Sequence, residues 1–197
     1  YYPGLRAFDA VRRADVCVLV VDAAEGITEQ DTKIIGYVHE QGKPSVIAMN
    51  KWDLVEKDTG TINRFEEKLR EDLKFMSYFK SVYISAKTGQ RAEKILELAD
   101  MVYANATQRV SIGTLNDLIM DAVRVNEPPS YNGRRLRIFY TTQANAVPPT
   151  FVFFVNDEHL MHFSYERYLE NTIRKAYDFS GTPVRLVLRQ KKEEEEI

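Results

Sequence analysis

The sequence predicts an α/β chain: a parallel sheet with crossover helices over residues 1–107, then a smaller α+β unit over residues 108–190. Three observations predict it. Short apolar runs at 16–22, 45–49 and 81–85 alternate with helical patterns, which is how parallel strands with right-handed crossovers read. Beyond residue 108 the order becomes helix, strand, strand, helix, strand. Two of the apolar runs also end in polar clusters, Asn50-Lys51-Trp52-Asp53 and Ser85-Ala86-Lys87. Those clusters fall at the carboxyl edge of the sheet, where open α/β sheets bind ligands.

Each element has its own signal. Val16-Cys17-Val18-Leu19-Val20-Val21 reads as a strand buried on both faces. Thr28 and Asp31 form a capping box for a helix whose apolar face is Ile34, Ile35 and Val38. Gly42 and Pro44 end it. Residues 45–49 are a second buried strand. Asn63 with Glu66 opens a helix carrying Phe65, Leu69 and Leu73, and 81–85 is a third strand. The next helix carries Ile95, Leu98, Ala99 and Val102. The boundary falls at 107–110. Thr114 with Asp117 opens a helix with Leu115, Leu118, Ile119, Ala122 and Val123 inward; Pro128-Pro129 stops it and Asn132-Gly133 makes a turn. Residues 135–142 alternate, with Leu136, Ile138 and Tyr140 on one side. Phe151 to Val155 is the next strand. Ser164 caps a helix through about Tyr177, with Tyr165, Tyr168, Leu169, Ile173 and Ala176 inward, and Val184 to Arg189 is the last strand. Residues 191–197 form a charged tail.

Composition excludes several classes. Of 197 residues, 44% are hydrophobic and 28% charged, ordinary for a globular protein, and the net charge of −2 does not suggest a strongly basic nucleic-acid binder. The single cysteine, Cys17, sits in an apolar run and builds neither a disulfide framework nor a zinc site, so a reducing, cytoplasmic setting is expected. No apolar run approaches the roughly 20 residues of a membrane span, and no signal peptide is recognised. The chain lacks an initiator Met and is expected to begin inside a longer protein. His159 and His162 have no third ligand nearby, so turn or core roles are expected rather than a metal.

The two polar clusters suit a guanine base. Guanine offers donors at N1 and N2 beside an acceptor at O6. A carboxylate accepts from both donors at once and is left unpaired by adenine. Asp53 fits that role; Asn50 braces the loop and reaches the N7 edge. Lys51 and Lys87 lay alkyl stems on the two ring faces, and the Ala86 N–H donates to O6, with Ser85 beside it. Trp52 is expected to pack beside the loop.

The phosphate end of such a site is missing. There is no G-x-x-x-x-G-K-S/T, hence no cradle of backbone N–H groups and no phosphate lysine. Asp22-Ala23-Ala24-Glu25-Gly26 is not an Asp-x-x-Gly magnesium loop, because Gly26 comes one residue late; Asp22 is expected simply to end a strand. Alone, the chain is expected to bind GTP weakly or not at all, and not to hydrolyse it.

Several motifs resemble the bacterial Der (EngA) family of GTPases. They are Thr28-Glu29-Gln30-Asp31 after a Glu-Gly, Asn50-Lys51-Trp52-Asp53, and the run Leu115 to Ala122. Phe153-Phe154-Val155-Asn156-Asp157 and the run Met161 to Asn171 complete the set. The resemblance implies the latter part of a second G domain of P-loop GTPase type, lacking its P-loop, and then a KH-like domain. It implies GTP or GDP and magnesium in the intact protein, with no magnesium ligand in this chain. As partners it implies the large ribosomal subunit and its rRNA, with the KH-like domain packing on the G domain across 107–110. Guanine contacts map onto Asn50, Lys51, Asp53, Ser85, Ala86 and Lys87. The start, Tyr1 to Phe8, resembles the helix after the second switch. Pro3-Gly4 disfavours a helix interior, however, so a loop or break is expected there.

The α+β unit lacks the Gly-x-x-Gly loop with which KH domains clamp a nucleic-acid backbone. From 109 to 190 it has ten Lys and Arg against eight Asp and Glu. Its best basic patch for RNA is Arg134, Arg135 and Arg137. Two readings follow: a switch whose KH-like domain touches RNA, or a module that docks on protein without RNA contact. A guanine-nucleotide enzyme of another kind finds no carboxylate pair or nucleophile to support it.

Overall fold

Residues 3–191 are described by a computed structural model. The Tyr1-Tyr2 start and the tail from residue 192 lie outside the described residues. The first element is a helix, α1 (Pro3–Arg13), where the sequence suggested a loop or break. Pro3 and Gly4 fall in its first turn. A missing N–H is harmless there and proline's fixed φ suits the helix, so the objection to an interior position does not apply.

Strand β1 (Cys17–Asp22), helix α2 (Glu29–Glu40), β2 (Ser45–Asn50), α3 (Thr61–Asp72), β3 (Lys80–Tyr83) and α4 (Lys94–Thr107) follow. The three strands form one parallel sheet in the order β1-β2-β3, with Asp22 beside Asn50 and Met49 beside Tyr83. β2 is buried on both faces along its length. Its Ile47 and Met49 join a core with Cys17, Leu19, Val21, Ile35, Val38 and Leu69, while Val46 and Ala48 meet Val82, Ile84 and Val102 on the other side. The expectation that β1 is buried on both faces is corrected: Val18 and Val20 are exposed. Among the described residues β1 is an edge strand, and the core that includes Val102 of α4 is built on β2 and β3.

The Thr28–Asp31 capping box forms as expected, with the Asp31 N–H donating to the Thr28 hydroxyl at 3.2 Å and the Thr28 N–H to Asp31 at 2.9 Å. Helix α3 starts two residues earlier than Asn63. Asp58 gathers the Gly60 N–H, the Thr61 hydroxyl and the Arg64 guanidinium, which gives that earlier turn its partners.

Cα packing groups the residues up to Ala106 with a return segment, Phe179–Pro183. That segment lies against the start of β2 and the end of α4. The Ser45 N–H donates to the Gly181 carbonyl at 2.8 Å, the Gly181 N–H to the Tyr78 carbonyl at 2.7 Å, and Asn105 to the Ser180 carbonyl at 3.0 Å.

The second unit comprises Thr107–Asp178 and the chain from Val184. It holds α5 (Ile112–Val125), a hairpin of β4 (Ser130–Tyr131) and β5 (Arg134–Arg135), β6 (Ile138–Asn145), β7 (Thr150–Val155), α6 (Phe163–Ala176) and β8 (Arg185–Gln190). β6 pairs antiparallel with β7, and β7 parallel with β8. The helix starts shift again: Ser111, not Thr114, caps α5, and the His162 ring, not Ser164, caps α6 by accepting from the Ser164 N–H. The single strand expected at 135–142 is broken into β5 and β6. A register shift between Ile138 and Tyr140 reverses the alternation, so Thr141 is buried and Tyr140 faces out. Ala176 is exposed rather than inward.

The family-like motifs of this unit act as clamps. Asn116 of α5 accepts from the Thr141 N–H at 2.8 Å and donates to the Thr141 carbonyl at 2.9 Å, pairing like an extra strand residue. Asn156 does the same beyond β7, accepting from the Arg137 N–H and donating to the Arg135 carbonyl. Tyr165 and Tyr168 donate to the carbonyls of Asn126 and Ala122 near the end of α5. Among the described residues no helix is long and apolar enough to cross a membrane.

Candidate functional site

Parallel pairing brings the ends of three strands together. Asp22 ends β1, Asn50 ends β2 directly beside it, and Ile84-Ser85 continues β3 on the far side of Asn50. Backbone bonds tie the exits: the Ala23 N–H donates to the Asn50 carbonyl at 2.8 Å, and the Trp52 N–H to the Ile84 carbonyl at 3.0 Å.

Lys51 then takes a left-handed conformation, φ 61°. The turn after it sends Trp52 inward, against Phe65 and Tyr83 with ring centroids 5.0 and 4.5 Å away, and leaves Asp53 exposed. Trp52 is 2% exposed, so it anchors the loop. Aromatic pairs of this kind contribute about 0.5–1.5 kcal/mol each beyond burial.

Asn50 accepts from the Ala86 N–H at 2.9 Å, joining the two clusters. Ser85 is fully buried. Its hydroxyl accepts from the Thr88 N–H at 3.2 Å. Asp53 titrates below the usual carboxylate range, chiefly through the Ser85 hydroxyl; slight desolvation opposes it, and Lys87 and Lys57 help. Lys51 places its ammonium 2.5 Å from Asp22, whose pKa is lowered by that contact first and by the Ala24 amide next.

All six residues expected to contact guanine therefore lie on two loops that the structure brings together. Ala86 differs from the expectation in one respect: its N–H, expected to face a base O6, is engaged by Asn50. Two features escaped sequence reasoning. Asp22 is more than a strand end, because it anchors Lys51; its place beside Asn50 in the parallel register was the available signal. Thr88 and Gln90 close the Ser85 loop, Gln90 through its carbonyl, which accepts from the Ser85 N–H at 3.1 Å.

The residues present do not fit a magnesium site. Asp22 is the nearest carboxylate to that role, and its oxygens are taken by the Ala24 N–H and the Lys51 ammonium. Among the described residues no group of three or more His, Cys, Asp or Glu could hold a metal.

In the second unit the expected basic patch is largely engaged. Arg134 pairs with Asp157 at 3.1 Å, Arg135 pairs with Glu127, and the Arg137 guanidinium lies 5.2 Å from the centre of the Phe139 ring. His159 belongs to the 3-10 turn Glu158–Leu160, and His162 is the α6 cap.

Residues 6–107 match the family model described as the elongation factor Tu GTP binding domain. Residues 109–189 match the one described as KH-domain-like of EngA bacterial GTPase enzymes, C-terminal. GTPase Der of Desulfitobacterium hafniense is 54% identical over 195 residues, covering 99% of this chain and 44% of the relative. GTPase Der of Clostridium tetani is 53% identical over 192 residues, covering 98% and 44%. The chain thus spans less than half the length of the curated relatives it matches. A solved structure of an Era variant from Aquifex aeolicus covers 95% of this chain and 69% of its own, at 15% identity and a TM-score of 0.42. The sequence matches, running from the α1 region to the last strand, are what decide the assignment: the chain belongs to the Der (EngA) family of bacterial GTPases, with part of a G domain followed by the KH-like domain.

Proposed function

We propose that the intact protein binds and hydrolyses GTP as a switch in assembly of the large ribosomal subunit. This chain supplies the base-reading end of the nucleotide site and the KH-like domain that meets ribosomal RNA. The observation that carries this reading is the brace between the two loops, in which Asn50 accepts from the Ala86 N–H. It holds the Asp53 loop and the Ala86 loop side by side before any base arrives, and such preorganisation favours selective binding. Asp53 accepts from N1 and N2 of guanine. The Ala86 N–H passes from Asn50 to O6. Lys51, its ammonium held on Asp22, and Lys87 cover the ring faces. Nothing in this chain's sequence cradles a phosphate, so affinity here comes from the base alone. As a switch, the intact protein works only if its nucleotide states differ in contact energy with the ribosome.

The test uses this chain and nucleosides. In amide NMR spectra, guanosine is expected to move the Trp52 and Ala86 signals at concentrations where adenosine leaves them in place. Equal responses to the two nucleosides overturn the reading.

A second reading, in which the KH-like domain docks on protein without touching RNA, is favoured by the ion pairs of Arg134 and Arg135 and the missing Gly-x-x-Gly. RNA crosslinks within residues 134–142 of the ribosome-bound protein would argue against it.

A further inference from the structure

Strands β6, β7 and β8 contain no Asp or Glu, although the whole chain carries 29 acidic residues against 27 basic ones. Alternation divides their side chains between two faces. Phe151, Phe153 and Thr141 are fully buried on the inner one. On the other, Tyr140, Phe154 and Arg189 lie opposite one another in a single row across the three strands. The Tyr140 and Phe154 rings are nearly parallel, 15° apart in plane with centroids at 4.2 Å. Tyr140 is 37% exposed, and so is Val187 in the next row, at 39%. The Lys191 ammonium lies 5.7 Å from the Tyr140 ring centre.

This combination is specific in its chemistry. A flat stacked pair presents a π surface that accepts another flat ring, and the ring face already attracts a cation. Arg189 and Lys191 flank it with positive charge and no strand carboxylate neutralises them. Glu158, at the border, accepts instead from the Gln190 N–H at 2.9 Å. An acidic peptide would use the cations but not the rings. A nucleic-acid duplex would offer phosphates, but its bases stay stacked within it. Unpaired nucleotides use both features, a base on the ring and a phosphate on the cation.

We propose that this outer sheet face, centred on Tyr140, Phe154 and Arg189, is a stacking platform for single-stranded RNA. The proposal rests on the reading that the second unit meets RNA. It moves the contact from the Arg134–Arg135 hairpin, whose guanidinium groups are ion-paired, to a sheet face whose strands carry no Asp or Glu.

The test measures binding of this chain to a single-stranded RNA ten-mer and to a duplex of the same length, across a salt series. Tyr140→Ala is expected to weaken single-strand binding about tenfold, and Tyr140→Phe to preserve it. Arg189→Ala should lower the magnitude of the slope of log affinity on log salt by about 0.7, the contribution of one phosphate contact on a single strand. Val187→Glu, at an exposed position, should also weaken binding and keeps the test decisive should Tyr140→Ala fail to fold. If Arg134→Ala and Arg135→Ala weaken binding while folded Tyr140→Ala and Val187→Glu do not, the platform is overturned and RNA contact stands. Equal affinity for duplex and single strand also overturns it. Binding to neither RNA overturns the platform and the RNA reading together.

Discussion

At Lys51 the backbone occupies a region that costs a side-chain-bearing residue about 1–2 kcal/mol. The burial of Trp52 and the ion pair to Asp22 offset that strain, and the turn leaves Asp53 outside. The identity of that one side chain should then set base preference. An Asn at 53 accepts from N1–H and donates from its amide, which suits the C2 carbonyl of xanthine and not the amino group of guanine. Asp53→Asn is therefore expected to reverse the order of guanosine and xanthosine by at least about tenfold, read from nucleoside titrations. Unchanged preference would remove Asp53 from the base edge. Most of this site is legible in the sequence because its residues are contiguous within two short motifs. The Asp22–Lys51 pair was not, since it is formed by a crossover between strands and appears only once the parallel register is known.

At the scale of elements, the caps decide where helices begin. Asp58 collects the Arg64 guanidinium, the Gly60 N–H and the Thr61 hydroxyl, which together lower its pKa from an ordinary 3.8 to about 2. Because the folded value is depressed, its contribution is present above the ordinary value and is lost as pH falls through 3.8 toward about 2. Amide exchange in the first turn of α3 should accelerate across that window, and Asp58→Asn should remove the dependence. A pH-independent first turn would show that the cluster does not hold it. These caps also mark the limit of sequence reading. Thr28 and Asp31 satisfy each other locally and were legible. Helices α3 and α5 begin two residues, and α6 one residue, before the positions read from the sequence, because Asp58 organises the turn before α3 and Ser111 and His162 cap α5 and α6 in place of Thr114 and Ser164. The outward turn of Tyr140 was hidden for a different reason: one register shift inverts the alternation, and no residue type announces it.

At the scale of the whole molecule, the first packing unit is discontinuous in sequence, because Phe179–Pro183 completes it. Gly181 makes that possible. Its φ is +76°, and a Cβ there would lie 2.1 Å from Val102 Cγ1. Gly181→Ala should cost about 3 kcal/mol from left-handed strain and overpacking together, measured by urea unfolding. Val102→Ala in the same chain should restore only part of that, since it relieves the clash but not the backbone. A neutral Gly181→Ala would mean that the segment is not held as described. The same segment bears on synthesis. Ser45 and Tyr78 are synthesised early, yet their backbone partner Gly181 follows 136 residues after Ser45 and 103 after Tyr78. During translation the first unit must wait, with those groups on water or on nascent-chain chaperones, until the second has almost left the exit tunnel. A nascent chain arrested shortly after residue 107 should remain protease-sensitive near Ser45, and one arrested beyond Pro183 with the tunnel cleared should not.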